Sequence, residues 1–358
     1  MVVCVRMSAL LDTGVKHKMD ITSLITNVAI LFIMMVPGVL LKKCKMCPDG
    51  FGKGLANLVL YIAQPVLIVY AYLDCEAKFT DIWADVVAVL VISLVAHAIF
   101  AAVAIPVFRK APEGRDRMLK FATIFSNAAF MGIPLIQSIF STRPEMAIYA
   151  SIYNVSFNLF LWTLGVVLCT SNREQIPEQA KTKDSEVEIP MLREKSVISF
   201  SKVLFHPVTL ASVIGIIFLV VGVKNSALRE MGVGLIPDAM NMLRSLVAPL
   251  SMVVIGLRLA DIDFKGFLND VYMYVFLMLR HFALPLVVLG IMKLLILCGI
   301  PLSADTVLVI TILAATPAAS SATMFAEKYD CDAIYTSRLV VVSTILCILT
   351  MPLILLLV

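Results

Sequence analysis

The sequence predicts an all-α polytopic membrane protein with ten transmembrane helices arranged as two inverted five-helix repeats. Three observations predict this: a composition too apolar for a water-soluble core, ten stretches long enough to span a bilayer, and two helix breaks at matching places in the two halves. Of the 358 residues, 60% are hydrophobic and only 15% charged. A soluble domain has about 45–50% apolar and about 25% charged residues. Lipid must therefore be part of the solvent. The net charge of +4 is small, and the basic residues sit in short loops beside apolar runs. That pattern serves membrane orientation and excludes nucleic acid as the expected partner.

Residues 1–20 form an N-terminal tail carrying Arg6, Lys16, His17 and Lys18. It has no long apolar stretch or small-residue cleavage site, so it does not read as a signal peptide. Met19 is an alternative start, because Asp20 would then cap the first helix. A span needs roughly 20 mainly apolar residues. The first repeat, 21–170, has candidates at Ile21–Leu41, Leu55–Leu73, Trp83–Phe108, Leu119–Phe140 and Ala147–Cys169. The Glu- and Lys-rich linker 171–202 follows. The second repeat, 203–358, has candidates at Val203–Val223, Pro237–Leu259, Val271–Cys298, Thr306–Ala326 and Ala333–Val358. Lys and Arg concentrate in the loops that are cytoplasmic if both termini are outside, which places the linker in the cytoplasm.

Five spans per half is an odd number, so the second copy must insert upside down. Residue spacing supports a repeat. Pro65 and Pro249 are 184 positions apart, as are His97 and His281. An Ala-Ile-Tyr triplet recurs at a spacing of 186, in the stretches that start at Glu145 and Cys331. Inverted repeats are a transporter signature, with the substrate near the midplane where they meet.

The fourth span is interrupted by Asn127, Gly132 and Pro134. The ninth is interrupted by Thr316, Pro317 and the run Ser320, Ser321 and Thr323. Proline removes a backbone donor and clashes with the preceding turn. Hydrocarbon tolerates such a break only where protein or a wet cavity satisfies the freed groups. Each break also creates a half-helix whose amide end carries partial positive charge. Two such ends at the midplane suit a small anion, and Ser126, Asn127, Thr316 and Ser320 are the expected side-chain donors. Ordinary proline kinks are the competing reading. The matched positions in the two repeats favour a site.

The run Asn-x-x-Phe-Met-Gly-Ile-Pro-Leu, Asn127 to Leu135, resembles the fourth-helix motif of the auxin efflux carrier family, which includes plant PIN carriers and bacterial malate and malonate permeases. The stretch from Pro317 to Tyr329 is similar to the family's ninth-helix motif. The resemblance implies a bile-acid-symporter-like fold in which helices 4 and 9 cross at their breaks. Spans one, two, six and seven would form a scaffold, dimerising through helices 2 and 7. The other six spans would form an elevator domain. The expected cargo is an auxin-like acid or a dicarboxylate such as malate.

Other polar residues carry two readings each. Gln64 either faces the pocket, as a substrate or cation ligand, or joins two helices. Asn154 and Asn158 share one helix face and either line the crossover or bond neighbouring helices. His97 and His281 are proton-relay candidates or neutral, satisfied core histidines. Arg280, about ten residues into the eighth span, either balances an anion or pairs with a carbonyl or with a carboxylate such as Asp261 or Asp263. No Asp or Glu lies in the middle of a span, so cation exchange on a buried carboxylate is not available in its usual form.

Of the eight cysteines, Cys169, Cys298 and Cys347 sit in apolar segments. Cys44 and Cys47 form a C-x-x-C without a second pair at zinc spacing. Neither a metal site, a cofactor nor a disulfide framework is expected, while coupling to Na⁺ or H⁺ stays open. The competing functions are a sodium-coupled symporter of the bile-acid type, a ligand sensor that does not transport, and an intramembrane enzyme. The last lacks any Ser/His, paired-Asp or HExxH motif, so no catalytic residue is expected.

Overall fold

The computed structural model describes residue 26 and residues 29–48, 50–170, 205–260, 270–329 and 331–358. The N-terminal tail, Met19, Asp20, the linker 171–202, Asp261 and Asp263 lie outside the described residues. Every regular element among those described is helical, apart from one isolated β-bridge. In chain order the helices are α1 (Val36–Lys43), α2 (Phe51–Asp74), α3 (Phe79–Lys110), α4 (Arg115–Ile124), α5 (Ala128–Ile139) and α6 (Pro144–Thr170). After the linker come α7 (Pro207–Val221), α8 (Asn225–Glu230), α9 (Leu235–Leu259), α10 (Val271–Leu297), α11 (Ala304–Ala315), α12 (Ser321–Lys328) and α13 (Ala333–Leu355). Six of them, α2, α3, α6, α9, α10 and α13, are long and apolar enough to cross a membrane. The protein is a multi-pass membrane protein.

Prolines shape these helices. The first expected span is helical over residues 29–33, turns at 34–35, and resumes as α1, with Pro37 in its first turn. Wide π-type turns occupy Val59–Ala63, Ala128–Gly132 and Leu279–Ala283, each ending two residues before a proline: Pro65, Pro134 and Pro285. Proline cannot donate to the carbonyl one turn back, and a widened turn accommodates the mismatch without ending the helix. A fourth such turn, Leu161–Gly165, has no proline behind it; its Gly165 packs against the rings of Phe121 and Phe125.

α2 packs on α7 and α9, and α1 lies along α9. α3 packs on α6 and α4, α10 on α11, and α11 and α12 on α13. The α1–α9 contact is made by two glycines. A Cβ at Gly38 would lie 2.2 Å from the Val253 carbonyl oxygen, and one at Gly256 would lie 2.0 Å from that of Met35. Small residues let helix backbones approach this closely, where dispersion rather than water expulsion drives association in lipid.

Polar side chains tie the helix ends together. Lys224 donates to the Cys75 carbonyl at 2.7 Å, and Asn225 donates to Asp74 at 3.2 Å. Arg115 pairs with Asp332 at 3.2 Å, and Arg117 donates to the Cys169 carbonyl at 3.0 Å.

Candidate functional site at the crossed helix breaks

α4 ends at Ile124 and α5 begins at Ala128; α11 ends at Ala315 and α12 begins at Ser321. The two unwound links lie against each other. Asn127 N–H donates to the Pro317 carbonyl at 2.7 Å, and Ala319 N–H donates to the Phe125 carbonyl at 2.8 Å. This antiparallel bridge, centred on Ser126 and Ala318, lets each break satisfy backbone groups of the other, as the absence of water in a bilayer requires. Asn127 also reaches across through its side chain: its Oδ1 accepts from Ser320 N–H at 3.5 Å.

Arg280 closes the carbonyl side of the crossing. It is fully buried. Its Nε donates to the Thr316 carbonyl at 3.1 Å, its Nη1 to that of Thr123 at 3.2 Å, and its Nη2 to those of Ala314 and Thr316 at 2.7 and 2.8 Å. Those carbonyls end α4 and α11, where helix dipoles present negative charge. The guanidinium also lies 5.6 Å from the Phe100 ring. Of the partners the sequence left open, carbonyls are the ones it has. No Asp or Glu is buried among the described residues.

The amide side is different. Asn127 Nδ2, Ser320 Oγ and Ser321 Oγ are buried and make no hydrogen bond to protein, while Ser126 Oγ lies beside the Tyr153 hydroxyl. They cluster at the N-terminal ends of α5 and α12, whose first-turn amides have no partner within their own helices. Thr316 itself turns away, its hydroxyl donating to the Leu313 carbonyl at 2.8 Å. Gly132 lets α5 approach α11: a Cβ there would meet Leu313 at 2.4 Å. Pro134 follows in the first turn of the α-helical part of α5.

Gln64 makes an interhelical bond through one amide atom only. Its Nε2 donates to the Ala129 carbonyl at 3.0 Å, joining α2 to the start of α5, while its Oε1 has no protein partner. Asn154 in α6 is buried with neither amide atom bonded, and Asn158 has an unbonded Nδ2. The two histidines spaced 184 residues apart differ. His281 is bonded through both ring nitrogens, to Thr350 Oγ1 at 3.0 Å and to Ser343 Oγ at 2.8 Å. Ser343 Oγ in turn accepts from Ala318 N–H at 2.9 Å, so this chain supports the ninth-span break. The Ser–His contact is fully buried, and its hydroxyl is held by the bridge backbone. His97 instead donates from Nδ1 to the Ser93 carbonyl at 2.7 Å, inside a cage of Phe100, Tyr153, Phe157 and Phe160. It shares the Phe100 ring with the Arg280 guanidinium.

Arg258 also reaches the crossing, from the last turn of α9. Its Nη1 donates to the Ser320 carbonyl at 2.5 Å and to Thr323 Oγ1, tying the end of α9 to the start of α12. Its place in the last turn of a span, where basic residues are common, hid this role. Among the described residues no cluster of His, Cys, Asp or Glu is placed to hold a metal, and Cys44 and Cys47 are free thiols.

A family model described as a membrane transport protein matches residues 23–355, nearly the whole chain. The chain belongs to this family, the auxin efflux carrier-type membrane transporters. The transporter has no significant match among curated proteins. Membership accounts for the multi-pass architecture and assigns membrane transport as the activity.

Proposed function

We propose that this membrane transporter is a secondary carrier for a small organic anion, either an auxin-like acid or a dicarboxylate such as malate. The anion binds at the crossing of the two broken helices and moves by elevator-type alternating access. The reading includes ten spans in two inverted repeats, both termini outside, a cytoplasmic linker 171–202, and a homodimer through the second and seventh spans. One observation carries the choice of cargo: the crossing is electrically one-sided. A fixed cation, Arg280, occupies the carbonyl ends of α4 and α11. The amide ends of α5 and α12 hold buried donors without protein partners. Each such group costs about 1–3 kcal/mol when left unmade. An anion at the amide ends would complete these bonds and would also meet the positive poles of two helices.

A sodium-coupled symporter is the second reading, favoured by the open Gln64 Oε1. Sodium sites in such folds use unwound carbonyls and half-helix C-terminal ends. Here Arg280 already binds three of those carbonyls, which counts against it. A thermal-shift screen of carboxylates against purified protein, with and without Na⁺ and at two pH values, tests both. The expected outcome is stabilisation by a carboxylate that does not depend on Na⁺. Stabilisation only when Na⁺ is present would replace the first reading with the second, and no stabilisation by any carboxylate would remove the proposed cargo class.

A further inference from the structure

A cavity of about 330 Å³ opens between α2, α5 and α9, at the end of the bundle that carries Asp74 and Arg143. Small-molecule sites start near this volume, roughly 300 Å³. Its wall includes Pro134, Ser138 and Ser141 from α5 and the loop after it, and Asn241 and Arg244 from α9. Three arginines lie at this end of the bundle, and two are neutralised. Arg143 pairs with Glu145 at 3.0 Å and with Asp305, and Arg229 pairs with Asp238 at 2.5 Å. Arg244 has no carboxylate partner among the described residues. Its Nε donates to Asn241 Oδ1 at 2.7 Å, and its guanidinium carbon lies over the Tyr70 ring, 4.2 Å from the centroid. No hydrogen bond from its two terminal nitrogens is found among the described residues. The acid in the wall, Asp74, already accepts from Asn225.

We propose that this cavity is an outer anion station, in which Arg244 receives the carboxylate of the cargo before it reaches the crossing. The inference rests on the anion-carrier reading above. The Tyr70 ring and the Asn241 bond fix the guanidinium, so its outer edge is preorganised for a two-pronged bond to a carboxylate. The same cavity touches Pro134, seven residues along α5 from Asn127. At 1.5 Å rise per residue that is about 10 Å, so a cargo held at Arg244 is already beside the helix whose amide end forms the crossing. An unpaired cation at the entrance of a partly apolar funnel also raises the local anion concentration.

Labelling of a reporter cysteine tests this without relying on transport. In the Ser245→Cys variant, with the full chain in phosphatidylcholine nanodiscs, modification of position 245 by a charged thiosulfonate is followed by peptide mass spectrometry. L-malate and indole-3-acetate are the probes. At roughly ten times Kd, protection should slow labelling about elevenfold. It should vanish with Arg244→Gln, return in part with Arg244→Lys, and persist in the Asn127→Ala, Pro317→Ala double variant. No protection by either probe, or protection unchanged by Arg244→Gln, overturns the station. Protection by added phosphatidylglycerol but by neither carboxylate also overturns it and assigns the cavity to a lipid headgroup. Loss of protection in the double variant would show that the cavity is not a separate site. Failure of the anion-carrier reading looks different: protection without flux. Failure of the station alone gives flux without protection.

Discussion

Replacing Arg280 by Met removes the cation that holds the two broken helices at their carbonyl ends. The side chain is fully buried and spends its donors on the carbonyls of Thr123, Ala314 and Thr316. Methionine leaves three buried acceptors unpaired, each at about 1–3 kcal/mol, or roughly 3–9 kcal/mol in all. Part of this is returned because a buried charge and its desolvation cost disappear. The expected net loss therefore lies toward the lower end of that range, about 3–5 kcal/mol. Lysine, with one ammonium in place of a planar fork, cannot reach carbonyls of two helices together and should fall between wild type and Met. The assay is reversible unfolding in mixed micelles with increasing denaturing detergent, read by circular dichroism. An Arg280→Met protein as stable as wild type would refute the claim that Arg280 closes the crossing.

Three further substitutions have defined outcomes. Gly256→Leu forces bulk where a Cβ alone would lie 2.0 Å from the Met35 carbonyl. It should cost at least about 1–3 kcal/mol and separate α1 from α9, read as lost protection of α1 amides in hydrogen exchange. Ser343→Ala unmakes the bonds to His281 and to the Ala318 amide; a loss of about 1–3 kcal/mol in the same unfolding assay is expected, and Ser343→Thr should recover part of it. Gln64→Leu removes the bond to the Ala129 carbonyl but also the unsatisfied Oε1, so stability should change by less than about 1.5 kcal/mol while carboxylate-induced stabilisation weakens. Unchanged ligand stabilisation would make Gln64 a helix–helix contact alone.

Much of the fold is legible because the bilayer imposes a length on apolar runs. Where Trp83–Phe108 reads as a span, a helix covers Phe79–Lys110. The two breaks are only partly readable: Pro317 lies in the unwound link of the ninth span, but the fourth span unwinds at residues 125–127 and carries Gly132 and Pro134 inside α5. The contacts across the breaks are not readable. Arg280 bonds to Thr123, 157 positions away, and to Thr316, 36 positions away, and nothing in an apolar pattern fixes the register between spans. The same holds for Arg258 on Ser320. The π-type turns before Pro65 and Pro285 escaped notice because each proline alone reads equally as a kink or as the first residue of a helix. His97 and His281 show how little an equal spacing fixes: one faces an aromatic cage and the other two hydroxyls.

The central claim is that an organic anion crosses the membrane by way of the paired breaks. Counterflow of labelled malate and indole-3-acetate in proteoliposomes tests it most directly, comparing wild type with the Asn127→Ala, Pro317→Ala double variant. Asn127 N–H bonds to the Pro317 carbonyl at 2.7 Å, so the pair alters both breaks at their point of contact. The account predicts saturable wild-type flux of at least one acid, lost in a double variant that still unfolds cooperatively. Equal flux in the two proteins would contradict it.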